Sequence, residues 1–227
     1  NKALAMATDC NGRYCYLNPR QGAKIAVAEA ALNVAASGGK PAAITNCLNF
    51  GNPYDQEIYY QFAECVAGMG EACRMFETPV TGGNVSFYNE DPERAVYPTP
   101  VIGMVGIIED VSHITTIHFK DSGHDIYLIG ETKDEIGGSE YLRTIHDKIT
   151  GKIPGIDLEV HKKTIDLLLN LIRVGLVQSA QDISDGGLAV ALAECCFVNG
   201  IGATVTIESN IRPDSLLFGE TQSRIIF

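Results

Sequence analysis

One polar segment in the first half of the chain has residue types that suit phosphate and metal chemistry. It consists of Thr81-Gly82-Gly83-Asn84-Val85-Ser86-Phe87-Tyr88-Asn89-Glu90. Two adjacent glycines allow the backbone to approach a ligand closely. The short polar side chains that follow offer oxygens suited to a phosphate or Mg²⁺: Asn84, Ser86, Asn89 and Glu90. The segment is predicted to form a ligand-binding loop, and the alternative is a plain turn with an Asx-type hydrogen bond at Asn84.

A second polar segment, Asn46 to Pro53, follows the apolar stretch Ala42 to Thr45, which is predicted to be a buried strand. Loops at strand ends are where α/β proteins place ligand groups, so this segment and Gly83 to Ser86 are predicted to form two walls of one site. Cys47 has no candidate base beside it in sequence. Packing is therefore the favoured role for its thiol, and nucleophilic catalysis is the alternative.

Two aspartates at the ends of other elements are further candidates. Ala3 to Thr8 predicts a strand that delivers Asp9 to a sheet edge, as a metal or substrate ligand or as a turn cap. Asp182 to Glu194 is a polar start, a glycine pair and an alanine-rich helix. Free amides at that helix N-terminus can hold an anion. Alternatively, Asp182 and Asp185 are themselves the anions that satisfy it.

Three helical patterns and several apolar runs must position these groups. The helices are predicted over Gln21 to Ser37, from a cap at Asp55 to Phe76, and over Leu158 to Ile172. Further strands are predicted at Val101 to Ile108, Asp125 to Ile129, Gly202 to Ile207 and Ser223 to Phe227. In the first helix, Lys24, Glu29 and Asn33 lie off the apolar stripe and are predicted to face solvent. Gly137-Gly138-Ser139-Glu140 is a weak phosphate-binding pattern.

Composition limits the classes of partner. The chain has 227 residues, enough for two domains of about 110 residues each, and a polar interruption after Ile108 places the boundary between 1–112 and 113–227. The net charge of −11 makes a nucleic acid or an anionic membrane an unfavourable partner. No apolar run reaches the length of about 18 residues that a membrane span needs. The start at Asn1 lacks a signal peptide and an initiator methionine, so a piece of a longer soluble protein is expected.

The seven cysteines show no Cys-x2-Cys pair and no histidine at zinc spacing. They are predicted to be reduced thiols, which indicates the cytoplasm.

Several ordered motifs together carry a resemblance to a known family. They are Thr45-Asn46-Cys47-Leu48-Asn49-Phe50-Gly51-Asn52-Pro53, Gly83 to Glu90, Tyr97-Pro98-Thr99-Pro100, Ser184-Asp185-Gly186-Gly187-Leu188-Ala189 and Phe218-Gly219-Glu220-Thr221-Gln222-Ser223-Arg224. In this order they closely resemble the phosphoribosylformylglycinamidine synthase subunit II (PurL) family, which belongs to the PurM-like ATP-binding superfamily. The likeness covers essentially the whole chain.

The resemblance implies an α+β fold with two α/β domains: an A-type domain with a mixed sheet, then a B-type domain resembling the C-terminal part of AIR synthase. The family has two tandem A-B copies, and this chain resembles most of the second copy, with its first strands and C-terminal end missing. The implied reaction converts formylglycinamide ribonucleotide, ATP and ammonia into formylglycinamidine ribonucleotide, ADP and phosphate. Mg²⁺ is the implied metal.

The implied partners are the first A-B copy, a separate glutaminase subunit that supplies ammonia, and a small accessory subunit. Because the family pairs its A domains through their sheets, the segment alone is expected to form homodimers.

Site roles are implied residue by residue. Asn46 and Gly83 resemble ATP contacts, Asn84 a Mg²⁺ ligand and Ser86 a substrate contact. The family usually has aspartate at position 46; Asn46 accepts a hydrogen bond but adds no charge. The family's catalytic histidines lie in the first copy and have no counterpart here, so no catalytic residue is predicted.

A second, pseudo-equivalent site is also implied. Glu220-Thr221-Gln222 resembles a triplet that holds substrate in the first copy. In the second copy it is expected to face a non-catalytic site, together with Asp9 and Asp185.

Two alternatives remain open. One is another PurM-like enzyme, such as aminoimidazole ribonucleotide synthase or selenophosphate synthase. The other is a half that binds nucleotide or acts as a scaffold without catalysis.

Overall fold

The computed structural model describes all 227 residues. The first half of the chain forms a mixed four-stranded sheet. Its strands lie in the order β1-β4-β2-β3. Only β2 and β3 run parallel, and the other neighbours are antiparallel. The strands are β1 (Ala3–Asp9), β2 (Lys40–Asn49), β3 (Val80–Ser86) and β4 (Thr99–Ile108). The expected α+β fold with a mixed A-type sheet is confirmed.

The first half contains three helices, α1 (Gly12–Leu17), α2 (Pro19–Ala36) and α3 (Gln56–Phe76), and local signals in the sequence account for the starts of α2 and α3. Asn18 caps α2 by accepting a hydrogen bond from the Gln21 amide, and Pro19 occupies the first turn, where its missing N–H costs nothing. Asp55 caps α3 as predicted.

Helix α2 is buried on nearly every side, because the sheet, α1, α3 and a later helix all pack against it. The prediction that Glu29 faces solvent is therefore wrong: its side chain lies in the core. Runs of alanine in α2 let these neighbours approach closely, so its buried surface extends well beyond the apolar stripe predicted from the sequence.

The second half has a small antiparallel sheet in the order β5-β7-β6 and four helices. A single 3₁₀ turn, Val111–His113, follows the first sheet, and the predicted boundary after residue 112 falls inside it. The elements are β5 (Leu128–Ile129), α4 (Glu140–His146), α5 (Leu158–Arg173), β6 (Gln181–Asp182), α6 (Gly187–Cys196), α7 (Pro213–Phe218) and β7 (Ile225–Ile226).

The predicted strands in this half are shorter in the structure or absent. Asp125 to Ile129 and Ser223 to Phe227 shorten to two residues each, and Gly202 to Ile207 is not a strand. A strand needs a hydrogen-bonded neighbour, and no backbone pairs with residues 202–207. Helices α1, α4 and α7 were not predicted.

The two halves share one apolar core, to which the sheet, α2, α3, α5 and Ile225 contribute. His161 of α5 lies fully buried between them, with Nε2 2.9 Å from the Ala28 carbonyl oxygen and Nδ1 2.9 Å from Ser223 Oγ. Burial lowers the pKa of His161 to about 4. The imidazole therefore joins the halves as a neutral group.

The other face of the first sheet is open. Leu4 and Met6 of β1 are 66% and 76% exposed, and Ile107 lies opposite Leu4 on β4. Aliphatic side chains on adjacent strands thus form an apolar surface that no element of this chain covers. No helix of the chain combines the length and apolarity needed to cross a bilayer.

Candidate functional site

The predicted ligand groups of β2 and β3 lie side by side. In the parallel register, Asn46 is opposite Gly83, Cys47 opposite Asn84, and Asn49 opposite Ser86. The structure therefore brings the two predicted walls together, as the sequence indicated. The first part of each segment is strand, however, and only residues 50–53 and 87–89 form loops.

The loops begin later in the chain than predicted, for a topological reason. Strand β2 continues through Asn49 because β3 and β4 pair with it on both sides. Strand β3 includes Gly82 and Gly83 and lies at the sheet edge, exposed along almost its whole length. Polar residues and glycines are tolerated there because an edge strand faces water. The Asx-turn alternative at Asn84 is wrong for the same reason.

Gly83 must be glycine because of its neighbour. Its φ is +150°, and a Cβ atom built on it would lie 2.2 Å from Asn46 Oδ1 and 2.3 Å from the Asn46 carbonyl oxygen. Gly82 is different, since the nearest atom to its Cβ position would be Thr45 Oγ1 at 3.9 Å. Only the second glycine of the pair is therefore required by packing.

Strand alternation puts the four predicted groups on two faces. Asn46 shares a face with Ile44 and Leu48, which are buried against the helices. Asn84 and Ser86 are on the opposite face, because side chains alternate along a strand. A ligand that touches Asn46 and Asn84 together must therefore lie across the edge strand, where the Gly83 backbone has no side chain to block it.

Asn84 is exposed, and its side-chain amide forms no hydrogen bond within the chain. Both its oxygen and its nitrogen are free for a ligand. Cys47, opposite it, is half-buried and contacts the amide of Asn49, with Nδ2 3.5 Å from Sγ. All seven cysteines are free thiols. The contacts of Cys47 support a packing role.

Two residues first considered as ligand groups stabilise the loop after β3 instead. Asn89 Nδ2 donates to the carbonyl oxygens of Phe50 and Ser86, and Ser86 Oγ donates to Asn89 Oδ1. Glu90 Oε2 accepts a hydrogen bond from the Asn52 amide at 2.8 Å. These bonds hold the segment after β3 against the segment after β2.

The Glu220 carboxylate satisfies two helix starts. It accepts hydrogen bonds from the backbone amides of Gly186 (2.9 Å) and Glu140 (2.8 Å), and from the Tyr14 hydroxyl. Burial raises the pKa of Glu220 to about 7, and these hydrogen bonds oppose the rise. At the start of α6 the Gly186 amide thus binds Glu220, and neither Asp182 nor Asp185 caps the helix. Anion binding by the remaining amides stays a prediction.

Thr221 and Gln222, the other two residues of the triplet, also form hydrogen bonds within the chain. Thr221 Oγ1 accepts a hydrogen bond from the Lys133 amide at 3.2 Å, and Gln222 Nε2 donates to Glu29 Oε1 at 3.1 Å. Arg224, fully buried, donates to the carbonyl oxygens of Gly219 and Thr221 and to Thr132 Oγ1. Glu220, Thr221 and Gln222 are therefore enclosed between the halves and do not line an open cavity.

Asp9 belongs to a buried acidic group that sequence reasoning only partly identified. Its pKa is raised to about 7, by burial first and then by the charge of Asp182. The pKa of Asp182 is raised to about 6 by burial. Glu29, the missed member, has a pKa well above its usual value because of burial and the charge of Asp9. A glutamate surrounded by alanines in α2 was the only available signal.

Asp185 lies at the edge of this group. Its Oδ1 accepts a hydrogen bond from Asn11 Nδ2 at 3.2 Å and is 3.6 Å from the Arg13 guanidinium. Partial desolvation raises the pKa of Asp185 although its side chain is 68% exposed, and the charge of Arg13 opposes the rise. Nowhere in the chain do three or more His, Cys, Asp or Glu side chains converge in a way that could hold a metal ion. The raised pKa values of Asp9, Asp182 and Glu29 indicate that this group holds protons more readily than exposed carboxylates do.

A groove of about 1190 Å³ lies elsewhere, in the second half of the chain. Segments 119–128 and 201–207 form much of its wall, and it contains none of the predicted site residues. The strand-edge geometry at Asn46, Gly83 and Asn84 is therefore the better guide to a site than cavity size.

Comparison with known proteins gives matches to both halves. The AIR synthase related protein N-terminal domain matches residues 1–108, and the C-terminal domain of the same family matches residues 121–227. The phosphoribosylformylglycinamidine synthase subunit PurL of Alkaliphilus metalliredigens (strain QYMF) is 55% identical over 225 residues, which are 99% of this chain and 30% of that protein. The chain thus spans less than a third of the length of this relative.

Solved structures share the fold at low identity. T. maritima PurL complexed with FGAR has a TM-score of 0.79 and 20% identity, over 99% of this chain and 37% of that one. T. maritima PurL complexed with ATP has a TM-score of 0.71 and 20% identity, over 100% and 32%.

Proposed function

Because the chain belongs to the AIR synthase related proteins, whose N-terminal and C-terminal domains it carries in that order, we propose that it is part of a phosphoribosylformylglycinamidine synthase. The proposed reaction consumes formylglycinamide ribonucleotide, ATP and ammonia and yields formylglycinamidine ribonucleotide, ADP and phosphate. The observation that carries the proposal is the 55% identity over 225 residues to a PurL subunit. The shared fold alone does not distinguish this enzyme from other ATP-using members of the superfamily.

The strand-edge site supplies one wall for ATP. Gly83 presents a backbone without a side chain at the edge of the sheet, and Asn46 lies directly beside it. Phosphoryl transfer depends on positioning and charge neutralisation more than on a protein nucleophile. Rigid strands suit that task, because they hold ligand groups more precisely than mobile loops do.

Asn84 fits the proposed Mg²⁺ role by its chemistry. Its side-chain oxygen is exposed and unused within the chain. Mg²⁺ prefers oxygen ligands and is commonly held by one or two protein groups together with substrate phosphates and water. When bound, the metal would neutralise phosphate charge. Asn84 would be the ligand that the strand-edge site contributes to the metal.

Catalytic proton transfer is assigned to the first A-B copy. The five histidines of this chain are His113, His118, His124, His146 and His161, and none lies on β2 or β3. The proposed division of labour is that this chain binds and orients ATP and substrate, and the other copy supplies the catalytic histidines.

The open apolar face of the first sheet supports pairing with that copy. Leu4, Met6 and Ile107 lie on it and would be covered by the A domain of the first copy. A glutaminase subunit and a small accessory subunit complete the proposed assembly, whose location is the cytoplasm.

The proposal is tested with the full-length protein that contains this segment. ADP release is measured with ATP, ammonium and formylglycinamide ribonucleotide, and formylglycinamidine ribonucleotide replaces the substrate in a parallel assay. Turnover is expected only with the first substrate, and the isolated segment is expected to be inactive. Turnover only with the second substrate would instead identify an aminoimidazole ribonucleotide synthase.

A further inference from the structure

The hydrogen-bond network around Asn89 determines the direction of its amide. Nδ2 lies 3.0 Å from the Phe50 carbonyl oxygen and 2.9 Å from the Ser86 carbonyl oxygen. Carbonyl oxygens only accept hydrogen bonds, so both hydrogens of the amide nitrogen are used in these two contacts. The atom of Asn89 that lies 3.2 Å from Ser86 Oγ must therefore be Oδ1.

This arrangement also determines whether the Ser86 hydroxyl donates or accepts its hydrogen bond with Asn89. An amide oxygen only accepts, so Ser86 Oγ must donate its single hydrogen to Asn89. What remains on Ser86 Oγ is its two lone pairs. Ser86 can accept a hydrogen bond from a ligand, but it has no hydrogen left to donate to one.

The surrounding backbone keeps Asn89 in place. Its own amide donates to the Phe50 carbonyl oxygen at 3.1 Å, and its carbonyl oxygen accepts from the Val96 amide at 2.9 Å. The Tyr88 amide donates to the Gly51 carbonyl oxygen at 3.0 Å. Turning the Asn89 amide around would place its oxygen against these two carbonyl oxygens, which only accept, so both side-chain hydrogen bonds would be lost.

We propose that Asn89 is a positioning residue that makes Ser86 an acceptor-only contact, so that Ser86 recognises an N–H or O–H group of the substrate and not its phosphate. The proposal rests on the proposed function, because it takes Ser86 as a substrate contact. A phosphate near neutral pH carries little hydrogen to donate, since its second pKa is about 6. The ribose hydroxyls and the two amide N–H groups of formylglycinamide ribonucleotide are the donors that fit.

The test uses the full-length protein and compares wild type with Ser86→Ala. Four analogues of formylglycinamide ribonucleotide each lack one donor: the 2′-hydroxyl, the 3′-hydroxyl, the glycinamide N–H or the formamide N–H. The phosphate-free nucleoside is the fifth analogue. With the intact substrate, Ser86→Ala should raise KM about tenfold, as the loss of one hydrogen bond would. Ser37→Ala, whose hydroxyl donates to the Asn33 carbonyl oxygen far from the site, should change KM less than twofold.

The expected result is that the Ser86→Ala effect disappears with one donor-deleted analogue and persists with the nucleoside. If the effect persists with all four donor-deleted analogues, the inference is overturned. If wild type does not convert formylglycinamide ribonucleotide at all, the proposed function itself fails, and the two failures are therefore distinguishable.

The role of Asn89 is tested by combining variants. Asn89→Ala should raise KM for the substrate in the wild-type background but not further in the Ser86→Ala background. Its effect on the thermal unfolding midpoint should appear in both backgrounds, because the bonds to Phe50 and Ser86 are lost in each. Multiplicative effects on KM would show that Asn89 does not act through Ser86. The analogue comparison needs no Asn89 variant, so it remains decisive if Asn89→Ala does not fold.

Discussion

Gly83 lies so close to Asn46 that no other residue fits there: a Cβ atom on Gly83 would be 2.2 Å from Asn46 Oδ1. The neighbouring Gly82 has open space at the same position, with the nearest atom 3.9 Å away. The pair therefore contains one glycine that the fold requires and one that it does not.

Replacing these glycines should give different results. Gly83→Ala should destabilise the protein by about 2 kcal/mol and reduce turnover strongly, because Asn46 must move and φ of +150° is strained for alanine. Gly82→Ala is the matched control and should change stability by less than about 0.5 kcal/mol. Thermal unfolding and ADP release by the full-length protein provide the measurements. Equal effects of the two variants would contradict the assigned geometry.

Asn84→Ala should reduce turnover far more than Cys47→Ala. The Asn84 amide is free for a ligand, and losing an electrostatic contact to a transferring phosphoryl group typically costs on the order of a hundredfold in rate. The half-buried Cys47 thiol lies against the Asn49 side chain, so its replacement should lower stability by about 1 kcal/mol and leave turnover nearly unchanged.

Kinetics at varied Mg²⁺ concentration separate the two explanations for Asn84. A lost metal contact should be partly rescued by more Mg²⁺, whereas a packing defect should not be. Near-normal turnover of Asn84→Ala at limiting Mg²⁺ would remove the metal role from this strand.

Helix caps and other local signals in the sequence correctly predicted where some helices begin. Asp55 is the cap of α3, and its carboxylate accepts a hydrogen bond from the Glu57 amide. The adjacency of Asn46 and Gly83 could also be expected, because the sequence placed both at the ends of neighbouring predicted strands. In the structure they lie opposite each other within β2 and β3.

What sequence could not predict depends on distant neighbours. Asn46 to Asn49 remain in β2 because β3 and β4 supply hydrogen-bond partners. The alternating pattern of 202–207 has no such partner and forms no strand. The burial of Glu29 follows from the packing of separate elements around α2. Long-range pairing and packing of this kind leave no local signature.

The open face of the first sheet should cause the isolated segment to self-associate. Leu4 and Met6 expose apolar surface there, and burying such surface in a dimer is favourable. Sedimentation velocity at micromolar concentration should show dimers, and Met6→Asp should shift the population to monomers. Ile145→Asp, which adds the same charge at an exposed position on α4, is the control and should leave dimers. A wild-type segment that stays monomeric would contradict the pairing surface.

Glu220→Gln should make stability less dependent on pH. The pKa of Glu220 is raised from 4.5 to about 7 by burial, so between these pH values the folded protein holds a proton that the unfolded chain has released. The stability that this proton contributes is fully present below pH 4.5 and is lost as pH rises through 7. The loss is on the order of 3 kcal/mol, from about 1.4 kcal/mol for each unit of pKa difference. The raised pKa values of Asp9 and Asp182 likewise make stability fall as pH rises. The lowered pKa of His161 has the opposite effect, so its contribution to stability increases as pH rises.

Comparing two variants separates the effect of Glu220 on the pH dependence of stability from the effects of Asp9, Asp182 and His161. Glutamine keeps an oxygen for the amides of Gly186 and Glu140, and its nitrogen can donate to the Tyr14 hydroxyl oxygen, so the packing is preserved. Urea unfolding at pH 5 and pH 8 should show that Glu220→Gln gains stability relative to wild type as pH rises. Glu131→Gln, at an exposed position, should follow wild type at both pH values. A variant that loses stability relative to wild type between pH 5 and pH 8 would mean that ionised Glu220 is favoured by the fold, and the raised pKa would then be wrong.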